Sequence, residues 1–129
     1  MERRAMNIAL WVLQGVLAVA FLGAGSMKLF ASQQALVSRG MDFAERVPMG
    51  AVRALGLAEV LGAIGVVLPG LVKIAPVLVP VAAACLAAVM VGAVILHVRR
   101  HEGPAVLPAA VLLVVAVAVA WGRFGPYAF

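Results

Sequence analysis

One cysteine, one tyrosine and five acidic residues among 129 positions set the first limits on this chain. A lone Cys85 excludes an internal disulfide, a Cys-x-x-Cys redox pair and a thiolate zinc site built by one chain. It reads as a small buried apolar residue in the middle of a hydrophobic run. Charged residues make up only 12%, against roughly a quarter in a soluble domain, which excludes an ordinary water-soluble fold. Aromatics are scarce at 6%, and no apolar–polar alternation is visible, whereas a barrel needs alternating strands and aromatic girdles. No Gly-rich loop follows a strand, and neither a Ser-His-Asp set nor a carboxylate pair can be found. The chain therefore carries no self-contained catalytic motif, which leaves open a role as a subunit of an oxidoreductase.

What is abundant is hydrocarbon. Hydrophobic residues reach 66% and mean hydropathy is +1.17. A membrane-spanning helix takes about 20 apolar residues, so the length suits four spans and one moderate loop. The predicted fold is all-α: a four-transmembrane-helix bundle in one integral membrane domain over residues 1–129, with a short interfacial segment between helices one and two. The net charge of +5 comes from residues at the ends of the apolar runs, which fits anionic headgroups and not a nucleic acid.

The spans are expected at about 6–30, 51–71, 75–98 and 105–121. The first, preceded by Arg3 and Arg4, is too long for the core of a cleaved signal, typically about 7–15 residues. Between the first two spans, Leu36, Val37, Met41, Ala44 and Val47 recur at helical spacing beside Arg39, Asp42, Glu45 and Arg46. That pattern suits a helix lying in the interface or a plain loop. Pro69-Gly70 should stop the second span, and the few residues before Pro76 call for a tight hairpin into the third. Both termini then share one side with Arg3, Arg4, Lys73 and Arg123, facing Lys28, Arg39, Arg46, Arg53, Arg99 and Arg100 on the other. The two sides balance if Lys28 and Arg53 are held inside the bundle, and the basic start of the first span favours cytoplasmic termini.

Glu59 lies inside the second span, where a carboxylate costs about 2.5–3.5 kcal/mol near a helix centre, so it needs a partner or a wet cavity. Antiparallel alternation brings Lys28, Glu59 and His97 towards one membrane face, and the long stems of Lys28 and Arg53 can reach down to the carboxylate. Glu59 shares a stripe with Gly56, Gly62 and Ala63, while Lys28 shares one with Gly25 and Gln14; these faces should pack helix one on helix two. In the third span Ala84, Ala88 and Gly92 make another small-residue seam. The pair has two readings: an ion pair that sets helix register, or a site for a ligand, a proton or a quinone. His97 and His101 have the i, i+4 spacing of metal ligands but lack a third donor, so no metal site is expected. Arg99 and Arg100 suit headgroup contacts, and Trp11, Trp121 and Tyr127 suit an aromatic belt.

The pattern Gly25-x-x-Lys28, the run Leu57-Ala58-Glu59-Val60-Leu61-Gly62-Ala63 leading to Leu68-Pro69, the start Ile74-Ala75-Pro76 and the exit His97-x-Arg99-Arg100 resemble the DoxX family of small four-helix membrane proteins. The resemblance runs from about Asn7 to Trp121. It implies a multi-pass protein of a bacterial inner membrane, with the family's polar positions at Lys28, Glu59 and His97. The family takes its name from a subunit of an archaeal thiosulfate:quinone oxidoreductase. The resemblance thus implies an accessory subunit of a quinone-linked redox or oxidative-stress system, for which quinone is the candidate cofactor. Two other functions stay open: a non-catalytic protein that assembles membrane partners or self-associates in the bilayer, and a small-solute or proton carrier using Lys28 and Glu59.

Overall fold

The computed structural model describes residues 2–129, except the side chains of Asp42 and Phe43. Its elements are α1 (Glu2–Phe30), α2 (Gln33–Ser38), a 3-10 turn (Asp42–Glu45), α3 (Met49–Gly65), α4 (Leu68–Val72), α5 (Leu78–Arg99) and α6 (Gly103–Phe124). Among the described residues there is no strand, and four segments are long and apolar enough to cross a membrane: Glu2–Phe30, Met49–Val72, Leu78–Arg99 and Gly103–Phe124.

Each long helix buries a narrow stripe and turns the rest outwards. In α1 the buried residues are Leu10, Gln14, Leu17, Phe21, Gly25 and Lys28, and in α3 they are Val52, Gly56, Glu59 and Ala63. Alternating steps of three and four residues keep each stripe on one side of its helix. The outer faces carry Val19, Leu61, Leu107 and Val114, large apolar side chains left for lipid. Helix α1 lies along α3 and α5 lies along α6, while shorter α1–α6 and α3–α5 contacts close the ring. With lipid as apolar as the core, close packing is what holds such helices together.

Glycine lets α1 and α3 touch backbone to backbone. A Cβ at Gly56 would sit 2.7 Å from the Gly25 carbonyl oxygen and 2.8 Å from the Lys28 Cβ, and one at Gly25 would sit 2.7 Å from the Gly56 oxygen. Gly56→Ala should therefore force the helices apart and cost about 1–3 kcal/mol. Gly92→Ala, whose Cβ would meet nothing within 4 Å, should cost little. Thermal unfolding of both variants in detergent checks this, and equal melting points would show that α1 and α3 are not held by that contact.

The structure departs from the sequence expectations in four places. The second span is not one helix: α3 ends at Gly65 and α4 restarts at Leu68 with Pro69 in its first turn, where no amide proton is needed. The link to the third span is no simple hairpin, because Lys73 and Ala75 take left-handed conformations with φ 57° and 47°, and α5 begins only at Leu78. The short segment after the first span, for which an interfacial helix and a plain loop are both open, is neither alone: α2 stops at Ser38, Gly40 takes φ 89°, and the 3-10 turn follows. The side chain of Asp42, expected on the polar face of that helix, lies outside the described residues. Finally, Cys85, Ala84, Ala88 and Gly92 are exposed; the packing face of α5 is Val79, Ala83, Leu86 and Met90, one position round the helix. A stripe of small residues marks where a backbone could approach, and here the larger side chains fill the core.

Candidate functional site

The last turn of α1 places Lys28 against the middle of α3. Its ammonium donates to both oxygens of Glu59, at 2.7 Å to Oε1 and 2.8 Å to Oε2. Glu59 is 1% exposed and Lys28 8%. The Gly25–Gly56 approach positions them, since it brings the backbones within reach one helical turn away from both side chains. A bidentate, desolvated pair of this kind is strong electrostatically, and neither ion can be left alone cheaply.

Arg53 does not reach down to Glu59. Its Nη1 donates to the carbonyls of Lys28, at 2.7 Å, and Ala31, at 2.6 Å. It thus caps the open C-terminal end of α1, where backbone carbonyls have no helical partner. Gln14 is also absent from the Lys28 cluster. It lies towards the other end of the bundle, with Nε2 donating to the Val66 carbonyl at 2.7 Å, at the break between α3 and α4. Gln14 and Lys28 share a stripe, but fourteen residues at 1.5 Å each separate them by about 21 Å.

His97 neither bonds Glu59 nor pairs with His101 as a metal site. Its Nδ1 is 3.0 Å from Glu102 Oε1, and Arg100 Nε approaches the same oxygen at 3.8 Å. His101 has φ 55° where α5 has ended, so the i, i+4 geometry of two helical ligands does not form. Among the described residues no group of three His, Cys, Asp or Glu side chains could hold a metal.

Lys28, Glu59 and His97 nevertheless line one cavity of about 530 Å³. Its walls are apolar: Val52 and Leu55 of α3, Val89, Met90 and Leu96 of α5, and Pro108 and Leu112 of α6, with Met41 and Val47 of the linker above. That volume falls within the usual range for small-molecule sites, about 300–1,000 Å³, and an apolar wall with a few polar groups is their usual make-up.

A second polar cluster has Arg123 at its centre, a residue only 3% exposed. Its Nε donates to Gln14 Oε1 at 2.9 Å, and its Nη1 to Asn7 Oδ1 at 2.7 Å and the Tyr127 carbonyl at 2.9 Å. The guanidinium also lies 4.1 Å from the centroid of the Phe129 ring. By its place at the end of the fourth span Arg123 is expected among the terminal-side charges, and the structure buries it instead. A signal was present: Arg123 continues the stripe Ala109, Ala116 at seven-residue spacing. The Glu102 partner of His97 is not legible from helical spacing, because the turn that brings it back follows the end of the helix.

Four apolar helices around a buried ion pair and an apolar cavity define a multi-pass integral membrane protein. The chain belongs to the DoxX-like family, whose family model matches residues 12–119. No curated protein and no solved structure matches it.

Proposed function

We propose that this DoxX-like protein is an accessory subunit of a quinone-linked redox or oxidative-stress system in a bacterial inner membrane, and that a quinone-like molecule occupies the cavity beside Lys28 and Glu59. The observation carrying this reading is the 530 Å³ apolar cavity with its polar groups at Lys28, Glu59 and His97. A quinone has the same division, an apolar body with two carbonyl acceptors. The Lys28 ammonium supplies a donor, and the Glu59 carboxylate cancels its charge, which suits a neutral ligand.

A decyl-tailed benzoquinone should raise the melting temperature of the purified protein in a concentration-dependent way, as mass action requires of a ligand that binds only the folded state. Membranes lacking the protein should reduce quinone more slowly. If neither effect is seen, the quinone reading fails. A second reading, an assembly protein for other membrane proteins, draws support from the exposed Ala84, Ala88 and Gly92 on α5, where another helix could pack closely. The same preparation distinguishes it: stable co-purifying membrane proteins without any quinone effect favour assembly. Gly62 is no part of such a surface, because it packs against Leu86 inside the bundle.

A further inference from the structure

We infer that the cavity opens sideways into the lipid, through the crevice between α3 and α5, and that it takes a neutral carbonyl lipid whose head lies at Lys28 and whose tail leaves through that crevice. This rests on the reading of the cavity as a ligand site. Helices α3 and α5 pack closely at two glycines of α3: a Cβ on Gly62 would meet Leu86 at 2.6 Å, and one on Gly65 would meet Ala82 at 2.8 Å. Continuing the antiparallel register towards the linker brings Glu59 level with Val89, Leu55 with Ala93 and Ala51 with His97. All six line the cavity. The cavity therefore begins where these glycine contacts stop.

The rim of that opening is made of small side chains facing outwards. Ala51, Ala88 and Gly92 line the cavity and are exposed, and a Cβ on Gly92 would meet nothing within 4 Å. The end towards the linker is partly packed, with Gly40 there also lining the cavity and exposed. Met41 and Val47 pack there against the buried cluster of Leu36, Ala44 and Val52, and Gln33 Nε2 holds the Ala44 carbonyl at 2.8 Å. A ligand already dissolved in the bilayer thus meets a rim of small residues at the side of the cavity.

The head chemistry follows from proton counting. A lysine ammonium has three N–H donors, and among the described residues those of Lys28 make two side-chain bonds, both to Glu59. One donor remains on a side chain that lines the cavity, so the site calls for an acceptor. The carboxylate beside it repels an anionic head, which selects a ketone or quinone oxygen over a fatty-acid carboxylate or a phosphate. A cavity of 530 Å³ holds a substituted ring and the start of a chain. A long tail has to leave it.

The test uses the full chain in nanodiscs and three probes: 2,3-dimethoxy-5-methyl-1,4-benzoquinone, the same ring with a decyl tail, and a decyl-tailed ring without carbonyls. The variants are Gly92→Phe, at the rim, and Val114→Phe, on the lipid face of α6, where the residue is 67% exposed. Wild type and Val114→Phe should bind both quinones and not the carbonyl-free ring. Gly92→Phe should keep the tail-less quinone and lose about tenfold or more in affinity for the tailed one, since forcing a chain past a filled crevice costs what overpacking costs. Unchanged binding of both quinones by Gly92→Phe overturns the lateral route while leaving the quinone reading intact, as does equal loss of both. Binding of the carbonyl-free ring overturns the role of Lys28, and a wild type that binds neither quinone overturns both readings.

Discussion

Glu59→Ala is expected to destabilise the protein by about 3–5 kcal/mol, because it leaves the Lys28 ammonium buried with no counter-ion. Both groups are almost fully enclosed, and Arg53, whose long side chain could otherwise serve Glu59, is committed to the carbonyls at the end of α1. Lys28→Met alone should be comparably harmful, since it strands the carboxylate. The double variant Lys28→Met with Glu59→Leu should recover most of the loss, because an apolar pair of similar volume removes the desolvation cost together with the attraction. Denaturant unfolding in mixed micelles gives the cycle. A loss below about 1 kcal/mol in both single variants would mean that the freed ion snorkels to the interface, and that the pair contributes little to the fold. A double variant that is stable but no longer shifted by a quinone would separate the structural role of the pair from its role at the cavity.

Arg123→Ala should cost about 3 kcal/mol or more, by a different mechanism. Here the loss falls on neutral acceptors: Gln14 Oε1, Asn7 Oδ1 and the Tyr127 carbonyl all give up a charged donor, and Gln14 is fully buried. An unsatisfied buried acceptor costs about 1–3 kcal/mol. The guanidinium also holds the chain end in place, lying over Phe129, while Arg3 donates to the carbonyls of Pro126 and Ala128 at 2.8 Å. Arg123→Lys should rescue little, since an ammonium has no planar fork to serve three acceptors and stack on a ring. The expected results are a lowered unfolding midpoint in both variants and faster proteolysis after Gly122. Full stability of Arg123→Lys would show that charge alone is needed there.

These two residues also show how far the sequence could be read. Glu59 announces itself because a carboxylate stands out in a run of Leu, Ala, Val and Gly, and Lys28 follows from the stripe it shares with Gly25 on the neighbouring helix. Arg123 is harder to read. It lies near the end of its span, where an arginine is ordinarily a headgroup contact, and only the seven-residue step from Ala116 places it inwards. Arg53 illustrates the opposite error. Its long side chain could have reached down to the carboxylate or up to the end of α1, and the unpaired carbonyls there were the better acceptors.

Composition and pattern together determined that the chain lies in a membrane as helices: 66% hydrophobic residues with so few charges put it in lipid, where only helices and closed barrels satisfy the backbone, and the lack of apolar–polar alternation excludes the barrel. The order of the spans and the small residues of the first two also sufficed to pair α1 with α3, since two glycine-bearing stripes in antiparallel neighbours can approach closely. Tertiary structure decided which face of α5 is buried, that α3 breaks at Val66 where Gln14 takes the freed carbonyl, and that α3 and α5 part beside Lys28 and Glu59 to leave a cavity. In a helix with apolar residues on every side, periodicity does not distinguish the face turned to protein from the face turned to lipid. That choice is made by side-chain shape, when large residues of one helix find room against the small residues of the next.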